Sequence, residues 1–128
     1  MPCQFNHTIV ASRDRERSAE FFRRVFEARP APSWGAFTNV QLDGGVLIQF
    51  ADLPEDAFPQ IQPQHYAFLV DDELFDRAYA RLRDDGVEHW ADPQGRRPGD
   101  INHEHGGRGV YFRDPAGHYL EMITRPYL

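Results

Sequence analysis

The chain has 128 residues, 41% hydrophobic and 13% aromatic, which is enough apolar material for one packed domain and too much for a disordered one. A formal charge of −6, from 20 acidic against 14 basic residues, argues against nucleic acid or an anionic membrane surface as partner. The single cysteine, Cys3, excludes an intrachain disulfide, and no apolar run approaches the roughly 20 residues of a membrane-spanning helix.

In chain order, the opening MPCQFNHTIV lacks the basic-then-apolar pattern of a secretory signal, so a cytoplasmic protein is expected. Gln4 to Ala11 is rich in β-formers and reads as a strand. Arg15 to Glu27 carries Ala19, Phe22 and Phe26 on one helical face, widened by Phe21 and Val25, with Asp14 as N-cap. Pro30 and Pro32 stop that helix. Phe37 to Leu42 and Val46 to Phe50 are two strands joined by the hairpin signal Asp43-Gly44-Gly45. The proline-bearing stretch that follows reads as a linker over 52–63.

The order then recurs. Gln64 to Val70 is a strand, and Asp71 to Asp85 is a helix with Leu74, Phe75, Ala78, Tyr79 and Leu82 on one face, closed by Gly86. Val87 to Ala91 is a short strand, and Asp92 to Gly107 a long loop whose glycines would let it move over a site. Arg108 to Arg113 and His118 to Thr124 are strands around the turn Asp114-Pro115-Ala116-Gly117. His7 and His65 stand 58 residues apart on matching strands, and Asp14 and Asp72, also 58 apart, begin the two helices. One domain over 1–128 is therefore expected, built from two βαβββ modules at about 4–51 and 64–125. Each module's helix covers one sheet face and leaves the other free to curve around a ligand, an α+β arrangement.

Repeat logic gathers four residues on that free face: His7 and His65, with Gln49 and Glu121 from the last strand of each module. Two imidazoles and a carboxylate suit Fe(II), Mn(II), Ni(II) or Zn(II), with coordination positions left open. Alternation places Glu121 on the face shared by Tyr119 and Ile123.

The chain resembles the vicinal oxygen chelate superfamily, which includes glyoxalase I, type I extradiol dioxygenases, fosfomycin-modifying enzymes and bleomycin-binding proteins. The resemblance runs over about residues 5 to 125 and rests on Asn6-His7, the helix from Asp14 to Phe26, His65, and Asp114-Pro115-Ala116-Gly117-His118-Tyr119-Leu120-Glu121. It implies paired βαβββ modules forming an open, U-shaped barrel around a metal held by His7, His65 and Glu121. It also implies pairing of two copies, because several single-domain members form their sites between chains. A narrower likeness to the extradiol dioxygenases lies in Ile101-Asn102-His103, Val110-Tyr111, Asp114-Pro115, Ala116-Gly117 and Glu121. By that likeness His103 and Tyr111 contact the oxygens of a small aromatic substrate while iron binds O₂; His105, two residues on, is the alternative to His103. A histidine or tyrosine there assists the proton loss that lets a catechol chelate iron.

Two features point elsewhere within the superfamily. The ring-cleaving enzymes carry a further histidine near the end of the first module, where this chain has Gln49-Phe50-Ala51. Glyoxalase I instead places a Glu or Gln metal ligand there, as Gln49 would be. The expectation is thus a divalent-metal-dependent oxygenase, most simply with Fe(II). The alternatives are a glyoxalase-type isomerase or lyase using Mn(II), Ni(II) or Zn(II), and a non-enzymatic small-molecule or drug-binding protein with Trp34, Phe37, Phe50, Phe58 and Trp90 lining a groove. Fosfomycin-modifying enzymes carry a Thr two residues after the first His, where this chain has Ile9.

Overall fold

A computed structural model describes residues 2–128. The chain divides into two compact units, the first ending at Ile61 and the second running from Gln62 to Leu128.

The first unit contains β1 (His7–Ser12), α1 (Arg15–Phe26), β2 (Arg29–Pro30), β3 (Phe37–Gln41) and β4 (Leu47–Asp52). Its sheet runs β1-β4-β3-β2, with β1 parallel to β4 and the other pairs antiparallel. Asp14 caps α1 by accepting from the Arg17 N–H at 3.1 Å, and the helix ends at Glu27, which takes a left-handed conformation. Ala19, Phe22, Val25 and Phe26 are buried, while Phe21 is only half-buried. The Phe22 ring meets the edge of Phe50 from β4 at 4.9 Å. Two fully buried aromatics contribute about 1.5–3 kcal/mol each by removal from water. Val10, Val40 and Ile48 complete this core between helix and sheet.

The second unit repeats the plan with β5 (His65–Leu69), α2 (Asp72–Asp84), β6 (His89–Trp90), β7 (Gly109–Arg113) and β8 (Tyr119–Ile123). The sheet order is β5-β8-β7-β6, again with the first pair parallel and the rest antiparallel. Phe75, Ala78 and Leu82 of α2 are buried, as are Val110, Phe112, Leu120 and Met122 of the sheet. Arg108 lies over the Phe75 ring at 4.4 Å and reaches Asp76 at 2.6 Å, tying the start of β7 to the helix.

Both sheets are open and mixed, and each carries one helix, as the repeat implies. Three local expectations change. The α2 cap is Asp71, which accepts from the Leu74 N–H at 2.7 Å, so Asp72 is the first helical residue and the caps are one residue off the repeat. Pro30 does not simply stop α1; it pairs with Val40 as a two-residue edge strand, where a proline's missing N–H costs no ladder bond. Asp52 still belongs to β4, so the first sheet runs one residue into the expected linker.

No helix among the described residues is long and apolar enough to cross a membrane.

Candidate metal and substrate site

In the second unit, strand register sorts side chains to opposite faces. Tyr66, Phe68, Leu120, Met122, Val110 and Phe112 alternate toward α2, and the register partners His65–Tyr119, Ala67–Glu121 and Tyr111–Glu121 share the other face. That face carries the candidate site residues of the second unit.

Glu121 is 3% exposed. Its Oε1 lies 3.1 Å from His65 Nε2, and its Oε2 accepts the Tyr127 hydroxyl. The His65 Nδ1–H donates to the Tyr119 carbonyl at 3.1 Å. That bond assigns the tautomer and leaves Nε2 as a lone pair. A lone pair and a carboxylate oxygen then face each other, which is repulsive unless a proton or a cation lies between them. The partners that hold Glu121 are phenols and an imidazole, none with a fixed positive charge. A buried carboxylate whose partners are phenols and an imidazole fits a cation site: a divalent ion bound by Glu121 Oε1 and His65 Nε2 would remove that repulsion and compensate the charge. Carbonyl support of Nδ1 is the arrangement by which proteins orient an imidazole ligand.

Tyr111, on β7, is half-buried, and its ring stacks on His65 at 6.2 Å. Burial, then the Tyr127 hydroxyl and the Glu121 charge, push its phenol far above the usual range. It is therefore a protonated donor at all ordinary pH values. The Tyr111 and Tyr127 hydroxyls are 3.5 Å apart. These groups line a cavity of about 730 Å³ in the second unit, together with Trp90 and Tyr119. The Arg113 guanidinium, also at the cavity, lies 4.9 Å from the Tyr119 ring and 5.7 Å from that of Trp90. Aromatic walls around one positive group and a buried carboxylate suit a flat, partly anionic organic molecule.

His7, on β1 of the first unit, is exposed and repeats the pattern of His65. Its Nδ1–H donates to Asn6 Oδ1 at 2.6 Å, so its Nε2 is likewise the free lone pair. Gln49 is buried on β4, on the same sheet face, in register with Ile9 of β1 and Asn39 of β3. Among the described residues, no group of three or more His, Cys, Asp and Glu side chains is assembled to hold a metal ion. The second unit thus brings together His65, Glu121 and Tyr111, and the first brings His7 onto one face with Gln49.

His103 is exposed, is not among the cavity-lining residues, and interacts electrostatically with Asp100. His105, two residues later, stacks on Tyr127 at 4.1 Å. Neither Tyr127 nor the role of the Asn102 side chain is visible in the motifs. Asn102 is buried, exchanges backbone bonds with Gly109 at 2.9 and 3.0 Å, and donates to the Ala91 carbonyl at 2.8 Å. Asp92 accepts the Arg96 and Arg97 N–H groups, and the Arg96 bond leads in holding its carboxyl below the usual range. The loop is therefore hydrogen-bonded at both ends. Of the five aromatics expected in a groove, Phe50 is core, Trp34 and Phe58 are exposed, Phe37 is half-buried, and Trp90 alone lines the cavity.

The family model described as the Glyoxalase/Bleomycin resistance protein/Dioxygenase superfamily matches residues 4–122. The solved structure of the oxidase ChaP-H2 superposes with a TM-score of 0.92 at 47% identity, covering 99% of this chain and 97% of that one. The oxidase ChaP-H1 gives 0.90 at 49% identity, with 98% of each chain covered. Metallothiol transferase FosB of Shouchella clausii (strain KSM-K16) is 29% identical over 121 residues, which is 93% of this chain and 78% of that protein.

Proposed function

Because the chain belongs to the Glyoxalase/Bleomycin resistance protein/Dioxygenase superfamily, we propose that it is a divalent-metal-dependent oxygenase acting on a small aromatic substrate with adjacent oxygens. The observation that carries this reading is His65 Nε2 facing Glu121 Oε1 at 3.1 Å, beside the Tyr111 phenol in an aromatic-walled cavity. His65 and Glu121 of the second unit would hold the ion, and His7 of the first unit, exposed with its Nε2 turned out, is a ligand candidate of the same kind. The ion would supply Lewis acidity and, as Fe(II), electrons for O₂.

The protein's own groups do the rest. The Tyr111 hydroxyl donates to a substrate oxygen as negative charge builds there. Trp90 and Tyr119 hold the ring flat, and Arg113 meets an anionic substituent. The acid–base imidazole of this reading is His103, which is exposed, or His105, which stacks against the cavity-lining Tyr127. The likeness to the oxidases ChaP-H2 and ChaP-H1 supports redox chemistry over hydrolysis or isomerisation.

The test is anaerobic reconstitution with Fe(II), followed by O₂-electrode assays over catechols and larger polyphenols. Substrate-dependent O₂ uptake is expected. No uptake across the panel contradicts the oxygenase. The buried Gln49 on the His7 face favours one second reading, a glyoxalase-type lyase or isomerase with Gln49 as a further ligand. That enzyme would turn over without O₂ and lose activity in Gln49→Ala.

A further inference from the structure

Outside every motif named above, the last residues of the chain return to the site. β8 ends at Ile123, and Thr124 is fixed by its Oγ1, which accepts the Arg108 N–H at 2.9 Å, and by its own N–H on the Arg108 carbonyl at 3.0 Å. Arg125 pairs with Asp72 at 3.5 Å. The chain then turns through Pro126, and the Tyr127 hydroxyl donates to Glu121 Oε2. The Tyr127 ring is half exposed, so little packing energy holds it there. Its other face is covered by the imidazole of His105, 4.1 Å away and inclined at 22°. His105 adopts φ 57°, a left-handed conformation rare for a residue with a side chain, and one that persists only where the surroundings impose it.

We propose that Tyr127 is a positioning residue for Glu121, held in place by His105. One carboxylate oxygen is taken by the Tyr127 hydroxyl, and the other, the oxygen facing His65, is left as the one presented to a cation. The phenol fixes the carboxylate's rotation about its terminal bond, and the stacked imidazole fixes the phenol. Such hydrogen bonds behind a ligand are worth roughly ten- to hundredfold in metal affinity. The inference rests on the metal reading of His65 and Glu121.

The experiment is Mn(II) titration of the metal-stripped full chain, followed by the electron paramagnetic resonance signal of free Mn(II). Tyr127→Phe keeps the ring and its stack but removes the hydroxyl; it should weaken Mn(II) roughly tenfold or more with the thermal unfolding midpoint unchanged. His105→Ala should weaken it by less. The double variant should bind no more weakly than Tyr127→Phe alone, because His105 acts through the hydroxyl that Tyr127→Phe removes. Wild-type affinity in Tyr127→Phe overturns the proposal, and so do independent, additive losses from the two substitutions. A wild-type chain that takes up no Mn(II) contradicts the metal reading instead, and is told apart because no variant then differs from it.

Discussion

His65 offers Nε2 to Glu121 Oε1 at 3.1 Å while its Nδ1–H is committed to the Tyr119 carbonyl at the same distance. Tyr119 is also the strand-register partner of His65, so the β5–β8 pairing itself aims the imidazole. The His65–Glu121 geometry is thus a product of sheet register rather than of a loop.

His65→Ala removes the imidazole from a half-exposed position and should leave the fold intact. Glu121→Gln keeps the shape and the Tyr127 bond but removes the charge. Each should lower divalent-metal affinity by about a hundredfold or more, since a neutral amide is a poor ligand and a missing imidazole none. Isothermal titration with Mn(II), alongside circular dichroism of the same samples, separates loss of metal from loss of fold.

Tyr111→Phe should reduce kcat by about a hundredfold with little change in substrate KM, the signature of a donor engaged mainly in the transition state. Because the Tyr111 phenol is pushed far above its usual range, the wild-type rate should show no loss on the alkaline side from this group between about pH 6 and 9. Steady-state kinetics on the substrate that passes the O₂-uptake assay would read both effects.

Gly109→Ala should destabilise the second unit. A Cβ there would lie 2.8 Å from Asn102 Oδ1 and 3.0 Å from its Nδ2, and Asn102 is the buried pin of the loop beside the cavity. Overpacking of this kind costs about 1–3 kcal/mol. Urea melts give the stability, and Trp90 fluorescence reports whether the cavity wall moves with the loop.

Burial pushes the Asp114 carboxyl above its usual range, against the lowering by the His118 N–H, the His118 charge and the N–H groups of Ala116 and Gly117. A carboxyl with a raised folded pKa binds more proton folded than unfolded above 3.8, its unperturbed value. Its contribution is full below that value and is lost as pH rises through the folded pKa. The stability of wild type relative to Asp114→Asn should therefore fall from about pH 4 to pH 7. Denaturant melts across that range check it; a gap widening in favour of wild type contradicts it.

The strand positions of the candidate site residues, which periodicity and repeat could carry, were legible. The 58-residue spacing of His7 and His65, the alternation around Glu121 and the turn at Asp114 all follow local rules that one sequence displays. Tyr127 was not legible, because it lies beyond the last strand and its role depends on how the chain turns after Thr124. The choice between His103 and His105 depends on a single left-handed residue within a long loop, and no spacing encodes it. The same holds for Asn102, read as part of a motif but also joining the end of the long loop to Ala91 and Gly109 by hydrogen bonds.

The most direct measurement of the central claim is the Fe(II) content of the chain reconstituted and desalted without oxygen, for wild type and Glu121→Gln in parallel. About one ion per chain is expected in wild type and little in the variant. Equal iron in both, or none in wild type, would contradict it.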